Sequence, residues 1–268
     1  MTPVHPDLRD KLVVVTGAAG GQGAAEALAL AGNGALVIAT DVVERADELL
    51  ARSAGLPGRV DYRRLDVSVQ DDWDRLAQNL SDAGTPVHGL VNNAGVTHRA
   101  RLGQTERADW DRVIAINLTG PMLGIQALAP LMVAGSSIVN VGSAAGLTAH
   151  YTVAYTTSKW GLRGLTHVAA TQYGPAGIRV NIVHPGFIAT EMTASAPGAM
   201  VTAQLELTPL ERVGQAAEVA AVVLFLLSES STYVSGAEIP VDGAYTSSAG
   251  VKYMADRIAA SLATAPAR

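Results

Sequence analysis

The chain has 268 residues, 49% hydrophobic and 16% charged, with a formal net charge of −5 and no cysteine. This composition supplies a sizeable core and excludes a disordered chain. The acidic balance opposes a nucleic-acid surface, which needs clustered Lys and Arg, and the lack of cysteine excludes a disulfide framework and thiolate chemistry.

Residues 1–10 read as a polar N-terminal arm with Pro3 and Pro6 and no apolar run of the signal-peptide kind. No apolar stretch of membrane length escapes a Gly or polar break. A soluble, cytoplasmic protein with no membrane or nucleic-acid partner is expected. From Leu12, short apolar runs alternate with Ala/Leu-rich helical stretches. The runs are Leu12–Thr16, Ala35–Thr40, Val60–Leu65, Val87–Asn92, Ser137–Val141, Arg179–His184 and Glu238–Val241. Runs apolar on both faces suit buried parallel strands, and the intervening lengths suit crossover helices. The pattern predicts one Rossmann-type, doubly wound α/β domain over 11–246, a seven-stranded parallel sheet with helices on both faces. Residues 190–208 interrupt the alternation as a substrate-side insertion, and 247–268 form a C-terminal extension. That extension carries Val251, Met254, Ile258 and Leu262 at helical spacing and frays at Thr264–Arg268.

The first strand runs into Thr16-Gly17-Ala18-Ala19-Gly20-Gly21-Gln22-Gly23 and then a helix. Gly17 allows a tight turn, Gly21 a close backbone approach to a pyrophosphate, and Gly23 close helix–strand packing, with the helix N-terminus facing the anion. A glycine-rich turn alone is weak evidence. Asp41, after the second strand, stands where an acid would accept the adenosine ribose hydroxyls and repel a 2′-phosphate. Gly20 brings no cation for such a phosphate. NAD is therefore the expected cofactor, and no metal site is expected.

The spacing Gly17-x-x-x-Gly21-x-Gly23 resembles the short-chain dehydrogenase/reductase superfamily, and further motifs follow in that family's order from Lys11 to Gly243. By that resemblance Asp66 and Val67 contact the adenine, Asn93, Ala94 and Gly95 lie beside the cofactor, and Asn117 holds a water. Ser143, Tyr155 and Lys159 join Asn117 as the catalytic group, with Tyr155 and Lys159 also touching cofactor. Gln22, Pro185, Gly186, Ile188 and Thr190 complete the expected cofactor contacts. Some stretches, such as Gly142-Ser143-Ala144-Ala145-Gly146-Leu147, are most similar to bacterial hydroxysteroid dehydrogenases of the 3α/20β type. The resemblance implies a homotetramer.

The chemistry has a physical reading. A free tyrosine, of pKa about 10, is a poor base near neutrality. Lys159 lies one helical turn away, and its charge favours the phenolate. Tyr155 would then exchange a proton with an alcohol or ketone oxygen that Ser143 orients. Taken alone, a Tyr and Lys one turn apart serve packing or surface roles, and Ser143 serves a strand-end turn. Leu147, Phe187, Met192 and Met200 suggest an apolar small-molecule substrate; as plain lid packing they would carry no such information. His98 and His150 read as solvated loop residues. A β-ketoacyl thioester reductase and a non-catalytic dinucleotide sensor are the alternatives.

Overall fold

A computed structural model describes residues 5–263; expectations for 1–4 and for the frayed end at 264–268 lie outside the described residues. Seven parallel strands form one sheet: β1 (Leu12–Thr16), β2 (Leu36–Asp41), β3 (Arg59–Arg64), β4 (Val87–Asn92), β5 (Met132–Val141), β6 (Arg179–Pro185) and β9 (Glu238–Val241). A separate two-residue pair joins β7 (Ile188–Ala189) to β8 (Gly214–Gln215). The sheet order is β3-β2-β1-β4-β5-β6-β9. The order reverses between β1 and β4, which opens a crevice beyond the strand tips there.

Side chains alternate across the sheet. Val13 and Val15 of β1 face a core built with α1 (Gly21–Gly32) and α9 (Ala216–Leu227). Val14 faces the opposite core, where Trp73 and Leu76 of α3 (Gln70–Asp82) meet α5 (Gly120–Leu128) and α6 (Val153–Tyr173). The remaining helices are α2 (Asp47–Ser53), α4 (Arg107–Ile114), α7 (Glu191–Ala194), α8 (Gly198–Leu207), α10 (Tyr245–Ser248) and α11 (Val251–Ala263). Both faces of the sheet are covered, as the continuous apolar runs require.

β5 begins five residues earlier than its apolar run. Its first residues are largely exposed, the pairing with β4 shifts register between Val87 and Gly89, and Gly135 takes φ +93°. An irregular edge of this kind lacks the buried pattern that marks a strand. The 25-residue helical stretch Arg107–Leu131 is long and apolar enough to cross a membrane by length and composition alone, but half of its apolar 18-residue window is buried inside the fold. It is a core helix.

The insertion forms α7 and α8, neither of which buries a residue. In α11, Val251, Met254, Ile258 and Leu262 are all exposed, so the stripe does not fold onto its own subunit. Lys252 ties the helix to Glu211 at 2.8 Å.

Candidate active site

The glycine loop closes on itself through backbone shape. Gly17 has φ +66° and Gly21 φ +56°, a region that disfavours any side chain. A Cβ on Gly23 would lie 2.2 Å from the Gly17 carbonyl oxygen and 2.5 Å from Asn93 Nδ2. Asn93 explains the crowding: its amide donates to the Thr16 and Gly17 carbonyls at 2.9 and 3.1 Å. The Thr16 hydroxyl accepts from the amides of Asn93 and Ala94 in return. The loop after β4 is thus laced to the loop after β1. Beneath it, Asn92 donates to Asn140 across the sheet at 2.8 Å.

These loops line a cleft of about 360 Å³ together with Asp41, Asp66, Val67, Gly95, Tyr155, Lys159 and Thr190. No side chain caps the N-terminus of α1, and no acid lies in its first turn. The free end carries about half a positive charge. Gln22 Oε1 is buried there without a partner. Asp41 accepts from the Ala19 and Val42 amides, which fixes its carboxylate at the rim. A Cβ on Gly20 would meet nothing within 4 Å, so the loop has room for a larger side chain but presents none. An anion-binding helix end, a glycine cradle and a rim carboxylate fit a dinucleotide.

The proton-handling groups meet at the other end of the cleft. Asn117 is fully buried in a π-helical turn, Ala115–Thr119, between α4 and α5. Such single turns widen a helix and turn a side chain inward. Its amide donates to the Val96 carbonyl and to Ser158 Oγ, and its Oδ1 accepts from the Val96 amide. The side chain therefore braces the Gly95–Val96 loop with both amide hydrogens and one lone pair of its oxygen. A Cβ on Gly95 would lie 3.5 Å from Asn117 Oδ1 and 3.6 Å from Lys159 Nζ, so both groups converge on that glycine.

Lys159 is 4% exposed, donates to the Val141 carbonyl at 2.7 Å and sits 5.7 Å from the centre of the Tyr155 ring. Burial lowers its proton affinity to about 8. The Tyr155 phenol is shifted the other way: burial raises it, and only a hydrogen bond with Ser143 opposes the rise. Within the protein alone, desolvation of the phenol is the larger effect, and the expected support of the phenolate by Lys159 does not overcome it.

Of the sequence-derived residues, Gly17, Gln22, Asp41, Asp66, Val67, Asn93, Ala94, Gly95, Tyr155, Lys159 and Thr190 line one cleft. Ser143 reaches it through Tyr155. Gly23 and Asn117 support the walls from behind. Pro185, Gly186 and Ile188 do not line it: Gly186 packs against Asp242, and Ile188 is 3% exposed beside Gly214. Residues that the sequence reading did not assign also line the cleft, among them Val96, Ile116, Gly142 and Glu191. Gly142, next to Ser143 at a strand end, carried a readable signal; the others are ordinary apolar or loop residues. His98 pairs with Asp109 at 3.4 Å, and His150 contacts the Thr152 hydroxyl.

Comparisons with known proteins agree with this geometry. The family model described as Enoyl-(Acyl carrier protein) reductase matches residues 17–246. The chain is 40% identical to the 3-oxoacyl-[acyl-carrier-protein] reductase FabG of Thermotoga maritima over 88% of its length and 98% of that protein. It is 37% identical to the 3-alpha-(or 20-beta)-hydroxysteroid dehydrogenase of Mycobacterium bovis, over 87% of this chain and 88% of the relative. The crystal structure of a candidate gluconate dehydrogenase from Agrobacterium tumefaciens superposes with a TM-score of 0.85 at 29% identity, covering 91% of this chain and 99% of that one. The chain belongs to the short-chain dehydrogenase/reductase superfamily of oxidoreductases.

Proposed function

We propose that the protein interconverts a secondary alcohol and a ketone on an apolar, cyclic or steroid-like substrate, with NAD(H) as cofactor and Tyr155 as the acid/base. The observation that carries this reading is the convergence of Ser143, Tyr155 and Lys159 at the cleft end farthest from Asp41. When bound, the nicotinamide supplies or accepts the hydride. The protein manages the proton. Tyr155 Oη donates it to the ketone oxygen, or takes it from the alcohol, while the Ser143 hydroxyl bonds the same oxygen and holds its direction. Lys159 adds a buried cation beside the phenol and is the residue to hold the nicotinamide ribose. Asn117 keeps the Gly95–Val96 loop against it.

The uncapped start of α1 receives the pyrophosphate, and Asp41 accepts the adenosine ribose hydroxyls. The carboxylate repels a 2′-phosphate, and neither Gly20 nor Val42 supplies a cation to bind one, which supports NAD over NADP. The similarity to the Thermotoga reductase favours a second reading, reduction of a β-ketoacyl thioester. A panel of steroid ketones, cyclic ketones and β-ketoacyl thioesters, each assayed with NADH and with NADPH, decides between them. The first reading expects the highest kcat/KM with NADH and a cyclic or steroid ketone. A preference for NADPH and the thioester overturns it. The reading extends to a soluble, cytoplasmic homotetramer that covers the exposed stripe of α11; a monomer in sedimentation at micromolar concentration removes the tetramer.

A further inference from the structure

The turn that carries Ser143 is held at both ends by one polar network that the proton chemistry does not use. Ser143 is the N-cap of a three-residue turn, Ala144–Gly146, and its hydroxyl accepts from the Ala145 amide at 3.1 Å. At the near end, His184 of β6 places Nδ1 3.0 Å from the Ser143 carbonyl oxygen and 3.4 Å from its amide nitrogen. The ring contacts the Ser143 backbone in either tautomer. At the far end, Arg163 of α6 donates to the Gly146 carbonyl at 3.1 Å.

Glu238 of β9 joins the two. It takes Arg163 in a two-pronged pair at 2.7 and 3.2 Å and His167 at 2.9 Å. Its Oε2 lies 3.2 Å from His184 Nε2, off hydrogen-bond alignment. His184 is fully buried, as are the other polar residues of β6, Arg179 and Asn181, but those two find hydrogen-bond partners around the α9 end and the β9 approach while His184 turns to the peptide of Ser143. The backbone makes room for it: a Cβ on Gly142 would lie 2.7 Å from His184 Nδ1. A brace of the sheet edge alone needs only Arg163 and Glu238. It gives no reason for a buried imidazole on the peptide of Ser143, or for a glycine cleared beside it.

We propose that Glu238, through His184 and Arg163, fixes the direction of the Ser143 hydroxyl toward Tyr155, with His184 as the positioning residue. The inference rests on the reading of Ser143 and Tyr155 given above. The Ser143 carbonyl accepts from the Gly146 amide at 2.8 Å and faces His184, so its peptide plane has little freedom. The hydroxyl hangs from that plane. Small misplacement of an orienting group lowers turnover without weakening cofactor binding.

The test is a double-mutant cycle between His184 and Ser143, run with NADH and the ketone of the panel that turns over fastest. Readouts are kcat, the Kd for NADH from its fluorescence, and Tm. His184→Gln carries its amide toward the Nε2 position and abandons Ser143; His184→Asn keeps an amide at the Nδ1 position. His184→Gln is expected to lower kcat about tenfold and leave the NADH Kd within about twofold. His184→Asn should recover most of the loss, and in a Ser143→Ala background His184→Gln should cost nothing more. An equal loss in that background, or a kcat that falls only with the folded fraction, overturns the proposal. If His184→Gln does not fold, Glu238→Gln in the same cycle replaces it, with a smaller loss expected and the same criterion. Full activity in Ser143→Ala alone instead overturns the reading of the site itself.

Discussion

The two banks of the cleft are built differently. The bank formed by β1, β2, β4 and α1 is shaped by backbone: left-handed glycines, a Cβ that cannot be added, and amides laced between two loops. The opposite bank, where Thr190, Glu191 and Met192 lead into α7 and then α8, buries no residue in either helix. It is held by Thr190, which caps α7 with Thr193, and by Arg99, whose guanidinium donates to the Met192 and Ser195 carbonyls at 3.3 Å. The first bank has one shape and suits one invariant ligand. The second is held by a few exposed or part-buried side-chain bonds that can break without disturbing the core.

The largest break expected is on the rigid bank. Gly23→Ala puts a Cβ into the Gly17 carbonyl and should cost about 3 kcal/mol or more, the scale of severe overpacking. Thermal unfolding should show a lowered Tm, and NADH fluorescence should show no binding. A native Tm with normal binding would mean that the loop is softer than its geometry.

Next is the rim. Removing the carboxylate and adding a cation, in Asp41→Ala combined with Gly20→Arg, should shift the NADP/NAD ratio of kcat/KM by at least about tenfold, or 1.4 kcal/mol. An unchanged ratio would place cofactor choice elsewhere.

A third effect lies inside α1. Glu26 is fully buried with both carboxylate oxygens unpartnered, and burial raises its pKa from 4.5 to about 8. The folded protein therefore holds a proton that the unfolded chain releases above 4.5. Glu26 favours folding fully below pH 4.5, and that contribution is lost as pH rises toward 8, at up to about 1.4 kcal/mol per pH unit. Glu26→Met keeps the volume and removes the titration. Its Tm advantage over the wild type should grow from pH 5 to pH 8; a constant difference would show that the carboxyl finds a partner.

The smallest effect belongs to the loose bank. Met200→Ala in α8 should change stability by no more than about 0.5 kcal/mol while changing the KM for ketone and not for NADH. A large loss of Tm would show that α8 is part of the core.

The rigid bank was legible in the chain because its determinants are local. Gly17, Gly21 and Gly23 are spaced within one turn, and Asp41 ends a strand that its own apolar pattern announces. Tyr155 and Lys159 are also local, one turn apart on α6. What the sequence concealed is non-local or electrostatic. Glu238 meets Arg163 across 75 positions, and no spacing rule links them. The early start of β5 has no apolar run to mark it. Ile188 is buried beside Gly214 and Gly186 lies against Asp242, contacts that their motif positions do not announce. That Lys159 is buried and donates to the Val141 carbonyl is likewise a product of the fold and not of the one-turn spacing.

The central claim is that Tyr155 moves the proton. Single-turnover oxidation of NADH by Tyr155→Phe tests it most directly, since phenylalanine removes only the hydroxyl. The account predicts a rate lower by at least about a thousandfold, within the usual range for a general acid–base group, with NADH affinity within about twofold of wild type. A rate close to wild type at that affinity would contradict it.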